Sequence, residues 1–271
     1  MTARETGWQL TGTAAENYER YMVPAHCETR ALDLIRRVGL QPGERVLDVA
    51  CGTGIVSRYA ARRVGHFGKV TGVDINPSML EVACRVSAYF EPAIEFLEGS
   101  AEELPLPNPE FDVVFCQQSL MFFPDREKAL KEMHRVLKPG GRIALNVWRS
   151  EEFNPVYAQL IVALEKHLGS DAANIMRSPF ITKSVAEMRS LFEKAGFQDI
   201  RVAIRIDTLR FPSIAELVRQ EIESMPVPSL QMQMSEVREP LTDEMTELLK
   251  SYVDDYGVAC PVQDYVAVAT R

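Results

Sequence analysis

No two cysteines in this 271-residue chain form a CxxC pair, and its four histidines, His26, His66, His134 and His167, are scattered. A zinc ribbon or a thioredoxin-like redox centre is therefore excluded, and no metal is expected. The five cysteines, Cys27, Cys51, Cys84, Cys116 and Cys260, read as reduced, structural thiols of a cytoplasmic protein. The histidines read as surface or structural. Positive charge is also in deficit, with 30 Lys and Arg against 38 Asp and Glu and a net charge of −8. Binding through phosphate neutralisation needs the opposite balance, so no nucleic-acid partner is expected. There is no signal peptide and no apolar run long enough to span a bilayer, so no membrane insertion is expected. Repeats and low-complexity tracts are lacking. What is left is a globular chain long enough to bury a sizeable core.

The feature that stands out is local. Residues 46–57 read VLDVACGTGIVS, and residues 70–74 read VTGVD. An apolar strand runs into Asp48, a turn of small residues containing Gly52 and Gly54 follows, and a helix begins. A second strand then ends on Asp74. This is a βαβ unit built to hold a nucleoside. Glycines let the backbone approach a ligand where a Cβ would collide. An acid ending the second strand can accept hydrogen bonds from both ribose hydroxyls. A nicotinamide dehydrogenase would place a third glycine at the helix start, where this chain has Ser57.

The rest of the chain alternates helices and strands. The pattern Thr13-Ala-Ala-Glu16 predicts a helix start, with Tyr18 and Tyr21 on a helix ending at Pro24. A second helix is predicted over 27–38. Strands are predicted at 46–49, 70–74, 94–97, 112–116 and 142–148, with helix starts at Asn76-Pro77 and Asp125. The helix from Asp125 carries a charged, solvated face over 126–135. Such alternation implies a parallel sheet covered on both faces. Ser184 opens a further helix ending at Gly196. The run 199–206 alternates as an edge strand should, and 265–269 is uniformly apolar, as an interior strand should be. Two segments interrupt this scaffold, 150–183 and 208–261, the second with helices near 214–223 and 243–253. Both are candidate lids over the mouth of the sheet.

Taken in order, LDVACGTG, VTGVDINPSML, EGSAEELPLP, FDVVFCQQSLMFFPD and EMHRVLKPGGRIALNVW make the chain resemble a class I S-adenosylmethionine-dependent methyltransferase. Within that class it resembles the small-molecule group that includes ubiquinone and menaquinone biosynthesis methyltransferases. The likeness is strong over 41–148, weaker to Gly196, and beyond that one of layout. It implies an α/β, Rossmann-like, seven-stranded, mainly parallel sheet with its last strand antiparallel. It also implies one domain over 1–271. Residues 1–40 would be an N-terminal helical cover and 41–149 the cofactor-binding core. Segments 150–183 and 208–261 would be lid insertions, and 184–207 with 262–271 the C-terminal part of the core.

Carried over residue by residue, the resemblance implies that Ala50, Gly52, Thr53 and Gly54 hold the methionine part of S-adenosylmethionine, with Asp48 ordering the turn from beneath. Asp74 would bind the ribose, Ile75 and Met79 would flank the adenine, and Ser100, Ala101 and Glu102 would meet its edge. Gln117 would lie near the transferable methyl. Tyr21, and after it Tyr18, would cover the cofactor from the N-terminal helix. Tyr18, Gln118, Met121 and Phe122 are expected against the substrate. Two departures stand out: Ala50 where many relatives have glycine, and Ser100 where many have aspartate.

A sulfonium is already an activated methyl donor, so positioning an acceptor in line and excluding water carries much of the reaction. No motif supplies a general base, and no catalytic residue is assigned. The expected activity is methyl transfer to a small, partly apolar molecule, with S-adenosylhomocysteine as product. Two alternatives stay open: a methyltransferase acting on RNA or protein, and a catalytically silent S-adenosylmethionine-binding protein. The acidic balance counts against RNA, and the lack of an NPPY-type motif counts against transfer to amide or base nitrogens.

Overall fold

The computed structural model describes residues 13–224 and 228–271, with side chains omitted over 228–235. Residues 1–12 of the expected N-terminal cover and 225–227 of the second expected insertion lie outside the described residues. Helix α1 (Thr13–Asn17) runs without a break through a π-helical stretch, Tyr18–Cys27, into α2 (Glu28–Val38). The expected stop at Pro24 does not occur, because Pro24 lies inside the π-helical stretch. Proline has no N–H to donate and crowds the carbonyl one turn back, and a widened turn relieves both.

The chain continues as β1 (Arg45–Val49), α3 (Ile55–Val64), β2 (Lys69–Asp74), α4 (Pro77–Ser87) and β3 (Ile94–Glu98). Next come β4 (Phe111–Gln117), α5 (Arg126–Val136), β5 (Leu137–Trp148), α6 (Pro155–Leu168), α7 (Ser170–Arg177) and α8 (Val185–Lys194). The last elements are β6 (Gln198–Phe211), α9 (Ile214–Glu223), α10 (Pro228–Leu248), the short β7 (Val253–Asp254) and β8 (Gly257–Thr270). Strand order is β3-β2-β1-β4-β5-β8-β6, with β7 paired to β8. β1 to β5 are parallel, and β8 is antiparallel to both β5 and β6. This is the expected α/β, Rossmann-like sheet with its last long strand antiparallel, and β7 makes an eighth strand.

Strand alternation sends neighbouring side chains to opposite layers. Val46 joins Val113 and Phe115 beneath Ala31 and Leu34 of α2 and Ala60 of α3. Leu47 and Val49 join Val114 and Cys116 under Leu130 and Met133 of α5 and Leu160 of α6. Both faces are dry, which is why Val46, Leu47 and Val49 of β1 are all apolar. The helix caps predicted at Asn76, Asp125 and Ser184 form. Asn76 accepts from Ser78 N at 3.0 Å, Asp125 from Lys128 N at 2.9 Å, and Ser184 from Glu187 N at 3.1 Å.

The C-terminal strands are longer than predicted. β6 extends to Phe211 and β8 begins at Gly257, so the segment between them is 212–256 rather than 208–261. Cys260 and Leu209 pair across the two strands, both fully or nearly buried. Their apolar character is locked by pairing, which a search for alternation within one strand does not register. β5 likewise starts at Leu137, five positions before the predicted 142, with the β4 register shifted between Phe111 and Val113. The helix predicted at 243–253 is the end of α10 followed by a 3₁₀ turn, Lys250–Tyr252. Leu241, Met245 and Leu249 are fully buried at a spacing of four, the stripe by which this segment packs on the fold.

β1 has β2 on one side and β4 on the other. The direction of winding reverses there, and a crevice opens at the carboxyl ends of these strands.

Candidate cofactor and acceptor site

The crevice is a cavity of about 420 Å³, roofed by the Tyr18–Cys27 stretch and by residues of α6, α7 and α9. Its sheet-facing end is built by loops at the carboxyl edge. Ala50, Gly52 and Gly54 all take positive φ, at 54°, 54° and 82°. Ala50 thus sits in the left-handed region where glycine is the easy residue, a local strain held by its surroundings. A Cβ on Gly54 would also meet the Phe96 ring at 3.0 Å. Gly54 therefore shapes the turn from behind. It does not line the cavity, whereas Ala50, Gly52 and Thr53 do.

Asp48 is nearly fully buried under this turn. Its Oδ2 accepts from Ser57 N at 3.0 Å and from Ser57 Oγ at 2.7 Å. Burial pushes its carboxyl up to about 7, against the pull of those two donors. Ser57, where a dehydrogenase would have glycine, is therefore the partner that ties Asp48 to the start of α3. Asp74 accepts from Gly52 N at 2.7 Å with one oxygen and from Asn76 N at 2.9 Å with the other. Burial raises its pKa, and the N–H groups of Asn76 and Gly52 hold it back. Each carboxylate oxygen keeps a second lone pair for a ligand.

Ile75 stands half exposed at the mouth, and Met79 is buried on the same wall. Ser100 accepts from Glu102 N at 3.1 Å, and a Glu102 oxygen accepts from Asp125 N at 2.8 Å. Both side chains line the cavity beside Ala101 while already engaged in the local fold. Gln117 donates from Nε2 to Cys27 O at 3.2 Å. Its Oε1, like Thr53 Oγ1, is buried without a hydrogen-bond partner among the described residues. Gln118, at a φ of 52°, donates from Nε2 to Asp264 Oδ1 at 3.1 Å.

The N-terminal cover needs a correction. Tyr21 is not among the residues lining the cavity, and the Arg219 guanidinium lies 4.5 Å from its ring centre. Tyr18 lines the cavity instead, next to Gly52, with its hydroxyl 3.3 Å from Cys27 Sγ. Burial pushes both Tyr18 and Cys27 upward, so each stays protonated. Tyr18 and Tyr21 are three residues apart, and the widened helical turn decides which of them faces inward.

The other end of the cavity is aromatic. Met121 and Phe122 line it. Opposite them Trp148, Tyr157 and Phe180 pack with ring centres 5.4–5.6 Å apart. Arg30, fully buried, lies 4.5 Å from the Trp148 ring centre and also borders the cavity. It donates from Nε and Nη2 to Asp264 at 2.8 and 3.2 Å, and from Nη1 to His26 O at 2.6 Å. His26 and Glu221 also face the cavity, both buried, with His26 Nε2 3.1 Å from Glu221 Oε1. Tyr157 donates its hydroxyl to the same oxygen at 2.9 Å. Burial and that carboxylate push Tyr157 well above its usual value.

His26, Arg30, Trp148, Tyr157 and Glu221 escaped the reading of the sequence. Two signals were available. Met22, His26 and Arg30 recur every four residues on one helical face. Glu221 interrupts the apolar stripe Ile214, Leu217, Val218 and Ile222 of α9. No cluster of His, Cys, Asp and Glu among the described residues is arranged to hold a metal.

A glycine-turned loop, an acid on the neighbouring strand and a cavity at the switch point define a nucleoside-cofactor enzyme of the α/β class. The methyltransferase-domain family matches residues 47–145. Demethylmenaquinone methyltransferase of Staphylococcus aureus is 34% identical over 180 residues, covering 62% of this chain and 74% of the relative. The YcgJ protein of Bacillus subtilis superposes with a TM-score of 0.59 at 21% identity, covering 90% and 98% of the two chains. Phosphoethanolamine N-methyltransferase 2 of Haemonchus contortus, solved with phosphomonomethylethanolamine and S-adenosylhomocysteine, superposes with a TM-score of 0.61 at 20% identity. That match covers 96% of this chain and 57% of the other. The chain belongs to the class I S-adenosylmethionine-dependent methyltransferases, and S-adenosylmethionine is its cofactor. The polar end of the cavity fits that cofactor: a turn without bulky side chains, acceptor positions free on Asp74, and the orphaned Thr53 and Gln117 oxygens. Among the described residues no helix is long and apolar enough to cross a membrane.

Proposed function

We propose that this enzyme methylates a small, partly apolar, ring-containing acceptor held against Trp148, Tyr157, Phe180 and Phe122. One observation carries the reading: a single cavity joins the polar turn at Ala50–Thr53 to that aromatic chamber. When bound, S-adenosylmethionine supplies a methyl group on a positively charged sulfur. Asp74 accepts from the ribose hydroxyls, Ile75 and Met79 flank the adenine, and the Ala101 region meets its edge. Ser100 and Glu102 contribute there mainly by fixing the loop, since both are already hydrogen-bonded within it. Thr53 and Gln117 meet the amino-acid end, Asp48 stiffens the turn from below, and Tyr18 covers it. The aromatic walls exclude water and orient the acceptor ring.

The name of the Staphylococcus aureus relative supports an acceptor of the quinol type, and the apolar chamber suits one. Residues 150–183, 212–224 and 228–256 act as the cover of this chamber. Five free cysteines, four of them buried, suit the reducing cytoplasm. The test is calorimetric and chemical. S-adenosylhomocysteine should bind in equimolar ratio. S-adenosylhomocysteine should also form on incubation with S-adenosylmethionine and one of a panel of reduced naphthoquinones and benzoquinones. Turnover of RNA or of a protein extract, with none of any quinol or phenol, would overturn the small-acceptor reading.

A further inference from the structure

The buried pair His26 and Glu221 is not among the residues assigned above to the cofactor. His26 and Glu221 are each more than nine-tenths buried, yet both line the cavity. They come from two different covering elements, the π-helical stretch and α9. The rings of Trp148, Tyr157 and Phe211 surround His26 at 6.2, 6.3 and 5.9 Å. Burying an imidazole and a carboxylate in such a wall is costly, and an apolar pair would pack as well. The groups facing the histidine are few. They are Glu221, the Tyr157 hydroxyl that donates to Glu221, and the Arg30 guanidinium, which is spent on Asp264 and on the His26 carbonyl. Cys260 adds a thiol beside Glu221, and burial keeps it protonated by pushing it up to about 12.

The geometry points to His26, whose buried Nε2 has no hydrogen-bond partner among the described residues and lies 3.1 Å from the Glu221 carboxylate, as the proton acceptor for a hydroxyl group on the methyl acceptor. This rests on the methyltransferase reading above and assigns the base that the sequence motifs do not supply. The acceptor's O–H bond breaks, its electron pair stays on oxygen, and the proton bonds to the imidazole. The imidazolium so formed lies against the Glu221 carboxylate. Tyr157 holds that carboxylate in place by its hydrogen bond. The acceptor class is therefore a hydroxylated aromatic or quinol ring, made nucleophilic by loss of its O–H proton. A ring of that kind has its apolar faces matched by Trp148 and Phe180.

The test needs no knowledge of the natural acceptor. The probe is 4-nitrophenol, added to protein saturated with S-adenosylhomocysteine, with the colour of its phenolate followed against pH. Transfer of its proton to His26 should lower the midpoint of the bound probe by about one pH unit or more relative to solution. His26→Asn should abolish the shift and Glu221→Gln should reduce it, with S-adenosylhomocysteine affinity held within about twofold in both. Should His26→Asn fail to fold, judged by its melting curve, Glu221→Gln carries the comparison. A bound probe that titrates as in solution, a shift surviving in the folded variant, or a probe that does not bind the loaded protein overturns the assignment. Loss of S-adenosylhomocysteine binding by the unmodified protein would instead sink the methyltransferase reading, so the two failures are separable.

Discussion

Asp48 makes a prediction whose sign and size both follow from the structure. Its carboxyl titrates near 7 when folded, because burial outweighs the two bonds from Ser57. An unfolded aspartate titrates near ~3.9. A carboxyl whose pKa is raised on folding contributes stability that is fully present below the unfolded value. That stability is lost as pH rises through the folded value. Three pH units correspond to about 4 kcal/mol at most, lost between about pH 4 and pH 7. Asp48→Asn keeps an oxygen for Ser57 and cannot ionise. Without ligand it should match the parent protein in acid and exceed it above neutrality. The stability gap should widen by about 2–3 kcal/mol between pH 5 and pH 8, since part of the loss has already occurred by pH 5. Urea unfolding of both proteins at the two pH values measures it. Taking the difference cancels the titrating groups that do not interact with Asp48, while Asp74, whose charge helps to raise Asp48 and whose own pKa is raised by burial, adds to the gap with the same sign. A gap that does not change with pH would refute the reasoning. It would mean that Asp48 is solvated or paired more strongly than its surroundings indicate.

Asp74→Ala should weaken S-adenosylhomocysteine binding by roughly 1–3 kcal/mol in calorimetry, because charge-assisted bonds to the ribose are lost. It should also lower the melting temperature of the ligand-free protein, since Gly52 N and Asn76 N lose their acceptor. Tyr18→Ala should weaken cofactor binding by about 1–2 kcal/mol through lost ring contact, whereas Tyr21→Ala, outside the cavity, should leave affinity nearly unchanged. Phe122→Ala should lower turnover of an acceptor about tenfold or more with cofactor affinity intact, as read by initial rates and calorimetry. Amides of the Tyr18–Cys27 stretch and of α9 should exchange more slowly once S-adenosylhomocysteine is added, while β1 stays protected throughout. Equal exchange with and without ligand would rule out a cover that closes on the cofactor.

The two ends of the cavity were legible to different degrees, for a physical reason. The cofactor end comes from short contiguous pieces at the carboxyl edge of β1, β2 and β4. There each strand's apolar run and the turn after it announce both element and ligand. Asp48, Gly52, Asp74 and Gln117 could be placed from spacing and resemblance, because strand, turn and side-chain direction are coupled over a few residues. Tyr18 rather than Tyr21 lines the cavity, and the choice between neighbouring helical positions depends on the helical pitch, which is π-helical around Pro24. The ends of β6 and β8 were missed because their extension rests on pairing with each other.

The acceptor end is another kind of object. Arg30 meets Asp264 across 234 positions of chain, and Tyr157 meets Glu221 across 64. No periodicity links such residues, since only the finished sheet and the helices laid over it bring them together. Each looks ordinary where it stands: an arginine on an amphipathic helix, an acid near a helix end. What marks them afterwards is burial, because charged side chains are seldom fully enclosed unless paired or used. Arg30 and Asp264 satisfy each other beside Trp148 and hold Gln118, so that pair is architectural. His26 and Glu221 face the empty side of the same wall. The Arg30–Asp264 ion pair and the His26–Glu221 contact border the same cavity and divide the work. The first fixes the wall, and the second is left to meet what the wall encloses.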